Sequence, residues 1–122
     1  MGLSVIVLQT DTGVAQALAG GLRAHFRSVQ VTRSKEELRE KVADEHPQAV
    51  VLDMESSALT DIARLHRDYP GVSIVCTHRV PDEEMWTAVL DAGADDFCAS
   101  DDVDSVLTSV LRHLAGARPA AA

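Results

Sequence analysis

Short apolar runs recur along the chain at intervals of roughly twenty residues, the repeat of alternating strands and helices. Three of them are almost uninterrupted, whereas a strand with one solvated face would alternate apolar and polar positions. We therefore predict strands that are covered on both faces, as in a parallel sheet. The five predicted strands are SVIVL (4–8), VQVT (29–32), AVVLD (49–53), VSIVCT (72–77) and DFCA (96–99).

Between these runs, apolar residues recur at the three- and four-residue spacing of amphipathic helices. The first helix is predicted over 12–26, and the second begins at a capping box formed by Ser34 and Glu37. The fourth begins near Pro81 and stops at Gly93. The third helix is predicted from Leu59, Ile62, Ala63 and Leu65 and ends at YPG (69–71), and the fifth, over about 102–114, is predicted to carry Val103, Val106, Leu107, Val110 and Leu111 on one face.

Strict alternation of strands and helices predicts an α/β domain, an open parallel sheet with helices on both faces. In such sheets, chemistry is found at the carboxyl ends of the strands. Those ends therefore define the candidate site. The residues that follow them are Gln9, Thr10, Asp11, Asp53, Thr77, His78, Ser100 and Asp101.

Length and charge narrow the class of protein. The chain has 122 residues and a formal net charge of −8, with 46% hydrophobic residues. This length predicts one domain, over 1–115, with 116–122 as a flexible tail or the start of a linker to a further domain. The negative charge argues against a nucleic-acid partner, because binding to phosphates requires a basic surface.

Targeting signals are not evident in the sequence. No apolar run approaches the length of a membrane span, and the first residues lack the basic region of a signal peptide. Cys76 and Cys98 lie in apolar segments and are interpreted as buried thiols in a reducing compartment. We therefore expect a cytoplasmic protein without membrane contact.

Three motifs are distinctive: VVLDM with Asp53 and IVCT with Thr77 at the ends of predicted strands, and DAGADDF (91–97), which leads into the fifth strand. Together with their spacing, these motifs resemble the receiver domain of bacterial two-component response regulators over essentially the whole chain. The resemblance implies a single flavodoxin-like (βα)5 domain with a five-stranded parallel sheet in the order 2-1-3-4-5. It also implies a role in two-component signalling or a phosphorelay.

In that family, a carboxylate receives a phosphoryl group from a histidine kinase. An acidic pair after the first strand holds Mg²⁺, a hydroxyl after the fourth strand binds the phosphoryl oxygens, and a lysine after the fifth strand pairs with the remaining charge. The resemblance implies that Asp53 occupies the acceptor position. Thr77 and Phe97 then occupy the two switch positions.

Several positions depart from the family pattern. Gln9 and Thr10 replace the acidic pair, which leaves Asp11 one position later, and Ser100 replaces the lysine. The loop after Asp53 is also shorter than is usual in the family. Two opposite charges about 4 Å apart attract each other by roughly 4 kcal/mol at an effective dielectric constant near 20. Loss of the lysine would remove a stabilising interaction of that size from the phosphorylated state. These departures indicate a pseudo-receiver.

We weigh two functions. In the first, the domain is a non-enzymatic module that binds a protein partner or a second copy of itself and needs no cofactor. Its predicted interface is formed by the fourth helix, the fifth strand and the fifth helix, and includes Trp86 and Phe97. In the second, Asp11 and Asp53 hold Mg²⁺ and Asp53 accepts a phosphoryl group. A nucleotide- or cofactor-binding module is a third, less favoured possibility, because the segment QTDTGV directly after the first strand contains a single glycine, Gly13, and so no Gly-rich phosphate loop.

Individual residues also have simpler interpretations. Asp53 could be a relic carboxylate hydrogen-bonded to backbone N–H groups or to Thr77, and Asp11 could cap the first helix. His78 could ligate a metal with these two carboxylates, or could fill the pocket or face solvent. The acids at 101–102 are predicted to start the last helix, where negative charge favours the helix dipole.

Overall fold

The structure, a computed structural model, describes residues 3–117, and its five strands and five helices alternate along the chain. This is the alternation predicted from the sequence. The strands are β1 (Ser4–Leu8), β2 (Ser28–Thr32), β3 (Ala49–Asp53), β4 (Ser73–His78) and β5 (Asp96–Ala99), and the helices are α1 (Thr12–Arg23), α2 (Lys35–Glu45), α3 (Leu59–Asp68), α4 (Glu83–Ala92) and α5 (Val103–Ala117).

All five strands are parallel and lie in the order β2-β1-β3-β4-β5, which confirms the predicted topology. The strand order reverses between β1 and β3, so the carboxyl ends of these two strands are the expected site of chemistry. There the register places Asp53 beside Thr77.

The core consists of two layers of apolar side chains, one on each face of the sheet. Every residue of β3 is buried, as expected for a strand covered on both faces. Cys76 and Cys98 are buried free thiols, as predicted, and burial raises the pKa of Cys76 to about 12. None of the helices within residues 3–117 is long and apolar enough to cross a membrane.

Several details at the helices differ from the predictions. The first helix ends at Arg23, although Phe26 beyond it is still buried in the core. Helix α3 forms as predicted, but its apolar residues are not all buried: Ile62 and Leu65 are buried, whereas Leu59 is 44% exposed and Ala63 is also exposed. Helix α3 has only 10 residues, and the two buried positions Ile62 and Leu65 are enough to pack one side of it on the sheet.

The start of α2 and the end of α5 also differ from the predictions. Ser34 caps α2 by accepting from the Glu37 N–H, but the Glu37 carboxylate accepts from the N–H of Arg33 instead of closing the predicted box at Ser34. Helix α5 continues to Ala117, two residues into the predicted tail. The rest of that tail, 118–122, lies outside the described residues.

Candidate functional site

Asp53 ends the central strand β3 and is 1% exposed. The hydroxyl of Ser56 donates to its Oδ2 at 3.2 Å, and the hydroxyl of Thr77 lies 3.5 Å from its Oδ1. Burial raises the pKa of Asp53, and hydrogen bonds from the Glu55 backbone and from Ser56 offset this only in part. Asp53 is therefore a buried carboxylate bonded to hydroxyls, with the predicted neighbour Thr77 beside it.

The chain turns sharply after Asp53. The N–H of Met54 donates to the Thr77 carbonyl at 2.8 Å, and the N–H of Ser56 donates to the Asp53 carbonyl at 3.2 Å. These bonds fold the short loop back over the end of β3. Because of this turn, the Ser56 hydroxyl lies within hydrogen-bond distance of the Asp53 carboxylate and 3.4 Å from the Thr10 hydroxyl.

After β1, the polar side chains are used to hold the backbone. Gln9 is 4% exposed, and its Oε1 accepts from the Asp11 N–H at 2.9 Å. The Asp11 carboxylate accepts from the Val14 N–H at 3.0 Å, which makes it the N-cap of α1. The structure thus assigns Asp11 the capping role that was one of its two predicted interpretations.

After β5, the position expected to hold a lysine carries a buried hydroxyl. Ser100 is 1% exposed, and its Oγ has no hydrogen-bond partner among residues 3–117. An unsatisfied buried polar group costs about 1–3 kcal/mol. Asp101 is exposed, and Asp102 caps α5 by accepting from the backbone and hydroxyl of Ser105, bonds that lower the pKa of Asp102.

These strand ends surround a cleft of about 310 Å³. Among the described residues that line it, Arg79 is the one cation, and its Nε lies 2.9 Å from Oε2 of Glu55. Sequence reasoning missed this pair, although Arg79 follows His78 directly and a wider search of the strand ends would have included it. The cleft is lined by Gln9, Thr10, Asp11, Val14, Asp53, Glu55, Ser56, Arg79 and Ser100.

Three carboxylates line the cleft, but two of them already have partners, which leaves few free ligands for Mg²⁺. Asp11 turns one oxygen to a helix N-terminus, and Glu55 is paired with Arg79. His78 is half-buried, and its Nδ1 accepts from the Val80 N–H at 3.0 Å. Across residues 3–117, we find no group of three or more His, Cys, Asp or Glu side chains arranged to hold a metal ion. The donors present therefore do not fit a tight Mg²⁺ site.

The predicted interface residues lie apart from the cleft floor. Trp86, on α4, is 48% exposed, whereas Val89 on the same helix is 2% exposed and faces the core. Phe97, on β5, is half-buried and packs against the core layer that contains Val89. Leu90 lies one turn after Trp86 and is 38% exposed. Helix α4 thus presents an apolar surface to solvent.

Comparison with known proteins supports the fold. Neither a protein-family model nor a curated protein sequence matches the chain significantly, but many solved structures do. A response regulator from Thermotoga maritima has a TM-score of 0.84 at 20% identity, covering 94% of this chain and 99% of that one.

Two further neighbours are orphan response regulators. HP1043 of H. pylori has a TM-score of 0.82 at 17% identity, over 92% of this chain and 96% of that one. An atypical orphan response regulator, described as revealing a phosphorylation-independent regulatory mechanism, has a TM-score of 0.83 at 17% identity, over 93% of this chain and 96% of that one. This chain therefore has the fold of a response-regulator receiver domain.

Proposed function

We propose that this domain is a pseudo-receiver: a signalling module that acts by binding protein and without efficient phosphorylation of Asp53. The observation that carries the proposal is the buried Ser100 hydroxyl at the end of β5, where the family places a lysine. Without that cation, the charge of a phosphorylated Asp53 would lack a compensation worth roughly 4 kcal/mol. The neutral side chains of Gln9 and Thr10 support the same conclusion.

The sharpest test is chemical. The protein is incubated with Mg²⁺ and acetyl phosphate, or with Mg²⁺ and beryllofluoride, while intact mass and the fluorescence of Trp86 are recorded. Trp86 is the only tryptophan in the chain, so the optical signal has one source. We expect no mass increase and no fluorescence change. A response that is abolished by Asp53→Asn would overturn the proposal.

The alternative function is a working phosphoacceptor with Mg²⁺ held by Asp11 and Asp53. One observation favours it: the Thr77 hydroxyl lies 3.5 Å from Asp53, which suits a hydroxyl that binds a phosphoryl oxygen. The same experiment decides between the two functions.

For the binding surface, we propose the face formed by α4, β5 and α5. On α4 it presents Trp86 and Leu90, which are exposed and one helical turn apart, and on β5 it includes the half-buried Phe97. Exposed aromatic residues are typical of protein interfaces. A nucleic-acid or membrane partner is disfavoured by the net charge of −8.

This surface can be tested through self-association, measured by sedimentation over a range of protein concentrations. Trp86→Ala is expected to weaken association, whereas the matched variant Leu59→Ala, which truncates another exposed apolar residue on α3, is expected to leave it unchanged. Equal effects of the two variants would argue against this face.

A further inference from the structure

The cleft beside Asp53 is rich in oxygen atoms and carries more negative than positive charge. The carboxylates of Asp11, Asp53 and Glu55 line it, against one guanidinium, that of Arg79. The side chain of Arg79 is 76% exposed and forms an ion pair with Glu55, so its positive charge lies at the mouth of the cleft and not beside Asp53. The buried carboxylate of Asp53 therefore has hydroxyl partners but no ion pair in the described part of the chain.

Ser100 adds a second, independent observation at this cleft. It lines the same cleft and is 1% exposed, yet its hydroxyl finds no partner within residues 3–117. Buried polar groups are nearly always hydrogen-bonded, and the exceptions require an explanation. A ligand that brings hydrogen-bond donors into the cleft would supply one.

We infer that the cleft receives a primary ammonium group at the end of an alkyl chain, as carried by a lysine side chain of a protein partner. This inference rests on the proposed function, because it names the group by which the partner would occupy the site. An ammonium has three N–H donors and no acceptor, which matches a lining of carboxylates and hydroxyls. Its charge balances the excess of negative charge.

The shape of the cleft also suits such a side chain. Its volume of about 310 Å³ exceeds that of an ion alone, and Val14 provides an apolar wall among the polar groups. A lysine buries its methylene stem along apolar surface while its charged end stays with polar partners. The partner would thereby place a cation beside Asp53 that this chain does not supply from β5.

The inference is tested by NMR. Backbone amide spectra of the whole chain are recorded without Mg²⁺, at constant ionic strength, as n-butylammonium is added. We expect saturable shifts centred on the ends of β1, β3 and β5, and none with tetramethylammonium, which has no N–H donors. Equal shifts with both cations would mean that the acidic surface attracts any cation, and would overturn the inference.

Variants locate the site. Asp53→Asn is expected to weaken binding by up to about fivefold, on the scale of a lost ion pair. Ser100→Ala is expected to weaken it several-fold, while the matched variant Ser73→Ala leaves it unchanged. Ser73 is also a buried serine with an unpartnered hydroxyl in the described structure, but it lies at the opposite end of β4 from the cleft. Loss of binding in Ser73→Ala as well would contradict the assignment.

The source of the ammonium is tested separately. Nα-acetyl-lysine methylamide, which keeps its side-chain ammonium, is expected to reproduce the shifts caused by n-butylammonium. The uncharged analogue Nα-acetyl-norleucine methylamide is not expected to cause them. If n-butylammonium binds and the lysine derivative does not, the partner side chain is excluded. Failure of all amines overturns this inference but leaves the pseudo-receiver proposal standing, since that proposal is decided by the phosphorylation experiment.

Discussion

The guanidinium of Arg79 lies 2.9 Å from the Glu55 carboxylate and joins the loop after β4 to the loop after β3 across the mouth of the cleft. Both residues belong to segments without regular structure, so the pair fixes the distance between two loops. The Arg79 side chain is 76% exposed, which limits its contribution to stability. Ion pairs of this kind contribute roughly 0–1 kcal/mol.

The variant Arg79→Gln is therefore expected to change the free energy of unfolding little, by roughly 0–1 kcal/mol. Its main effect should be on binding: release of Glu55 increases the negative charge of the cleft, so n-butylammonium should bind several-fold more tightly. Urea denaturation and amide titration measure the two effects. Arg67→Gln is the control, because Arg67 also pairs with a carboxylate, that of Asp68, but on α3. Weaker amine binding in Arg79→Gln would contradict the charge argument.

Asp53→Asn is expected to stabilise the protein at neutral pH by something on the order of 1 kcal/mol, the scale of a partly compensated buried charge. Burial raises the pKa of Asp53 above its ordinary value of 3.8, so the native state binds this proton more tightly than the unfolded chain. Stability from this group is therefore complete below the unfolded pKa and is lost as pH rises through the folded pKa.

The measurement is the difference in unfolding free energy between wild type and Asp53→Asn as a function of pH. The advantage of the variant should vanish below about pH 3.8. Asp102→Asn is a control of opposite sign: hydrogen bonds from Ser105 lower the pKa of Asp102, so its contribution is present at neutral pH and is lost as pH falls. A variant at Asp53 that destabilises the protein at every pH would show that the hydroxyl bonds outweigh the burial of charge.

Two adjacent glycines of α1 should respond to alanine in opposite directions. A Cβ at Gly20 would meet nothing within 4 Å, so Gly20→Ala is expected to stabilise the protein by about 0.5–1 kcal/mol through helix propensity. A Cβ at Gly21 would lie 2.8 Å from Cγ1 of Val103, where α1 packs against α5. Gly21→Ala is expected to destabilise by roughly 1–3 kcal/mol.

Thermal or urea denaturation distinguishes the two variants, with each serving as the control for the other. Equal stabilisation by both would mean that α5 can shift away from α1 at little cost. Gly21 would then have no packing role.

The sequence predicted the sheet well, because strands such as β3 are buried on both faces and leave continuous apolar runs. The contacts between helices and sheet were less predictable. Leu59 fits the apolar spacing of α3 but is exposed at the start of the helix, because spacing alone does not show which turns of a short helix contact the sheet. At the site, the position of Asp53 beside Thr77 followed from parallel strand ends. The Arg79–Glu55 pair did not, because charged loop residues carry no periodic signal.

The final prediction concerns phosphoryl chemistry at Asp53. In the triple variant Gln9→Asp, Thr10→Asp, Ser100→Lys, the acidic pair adds carboxylate ligands for Mg²⁺, and the lysine adds a cation that can extend into the cleft. Each charge pair gained at about 4 Å is worth roughly 4 kcal/mol at an effective dielectric constant near 20. We expect the variant to bind beryllofluoride with Mg²⁺ and to change the fluorescence of Trp86, and under the pseudo-receiver proposal we expect no response from the parent.

Part of this gain is offset by a structural cost. The Gln9 amide accepts from the Asp11 N–H at 2.9 Å, and a shorter aspartate would lose that bond, at about 1 kcal/mol. The variant should therefore be less stable yet still folded, which circular dichroism checks. Adding Asp53→Asn should abolish the response. A folded triple variant that fails to respond would place the remaining defect in the short loop after β3, where the Ser56 hydroxyl occupies one oxygen of the Asp53 carboxylate.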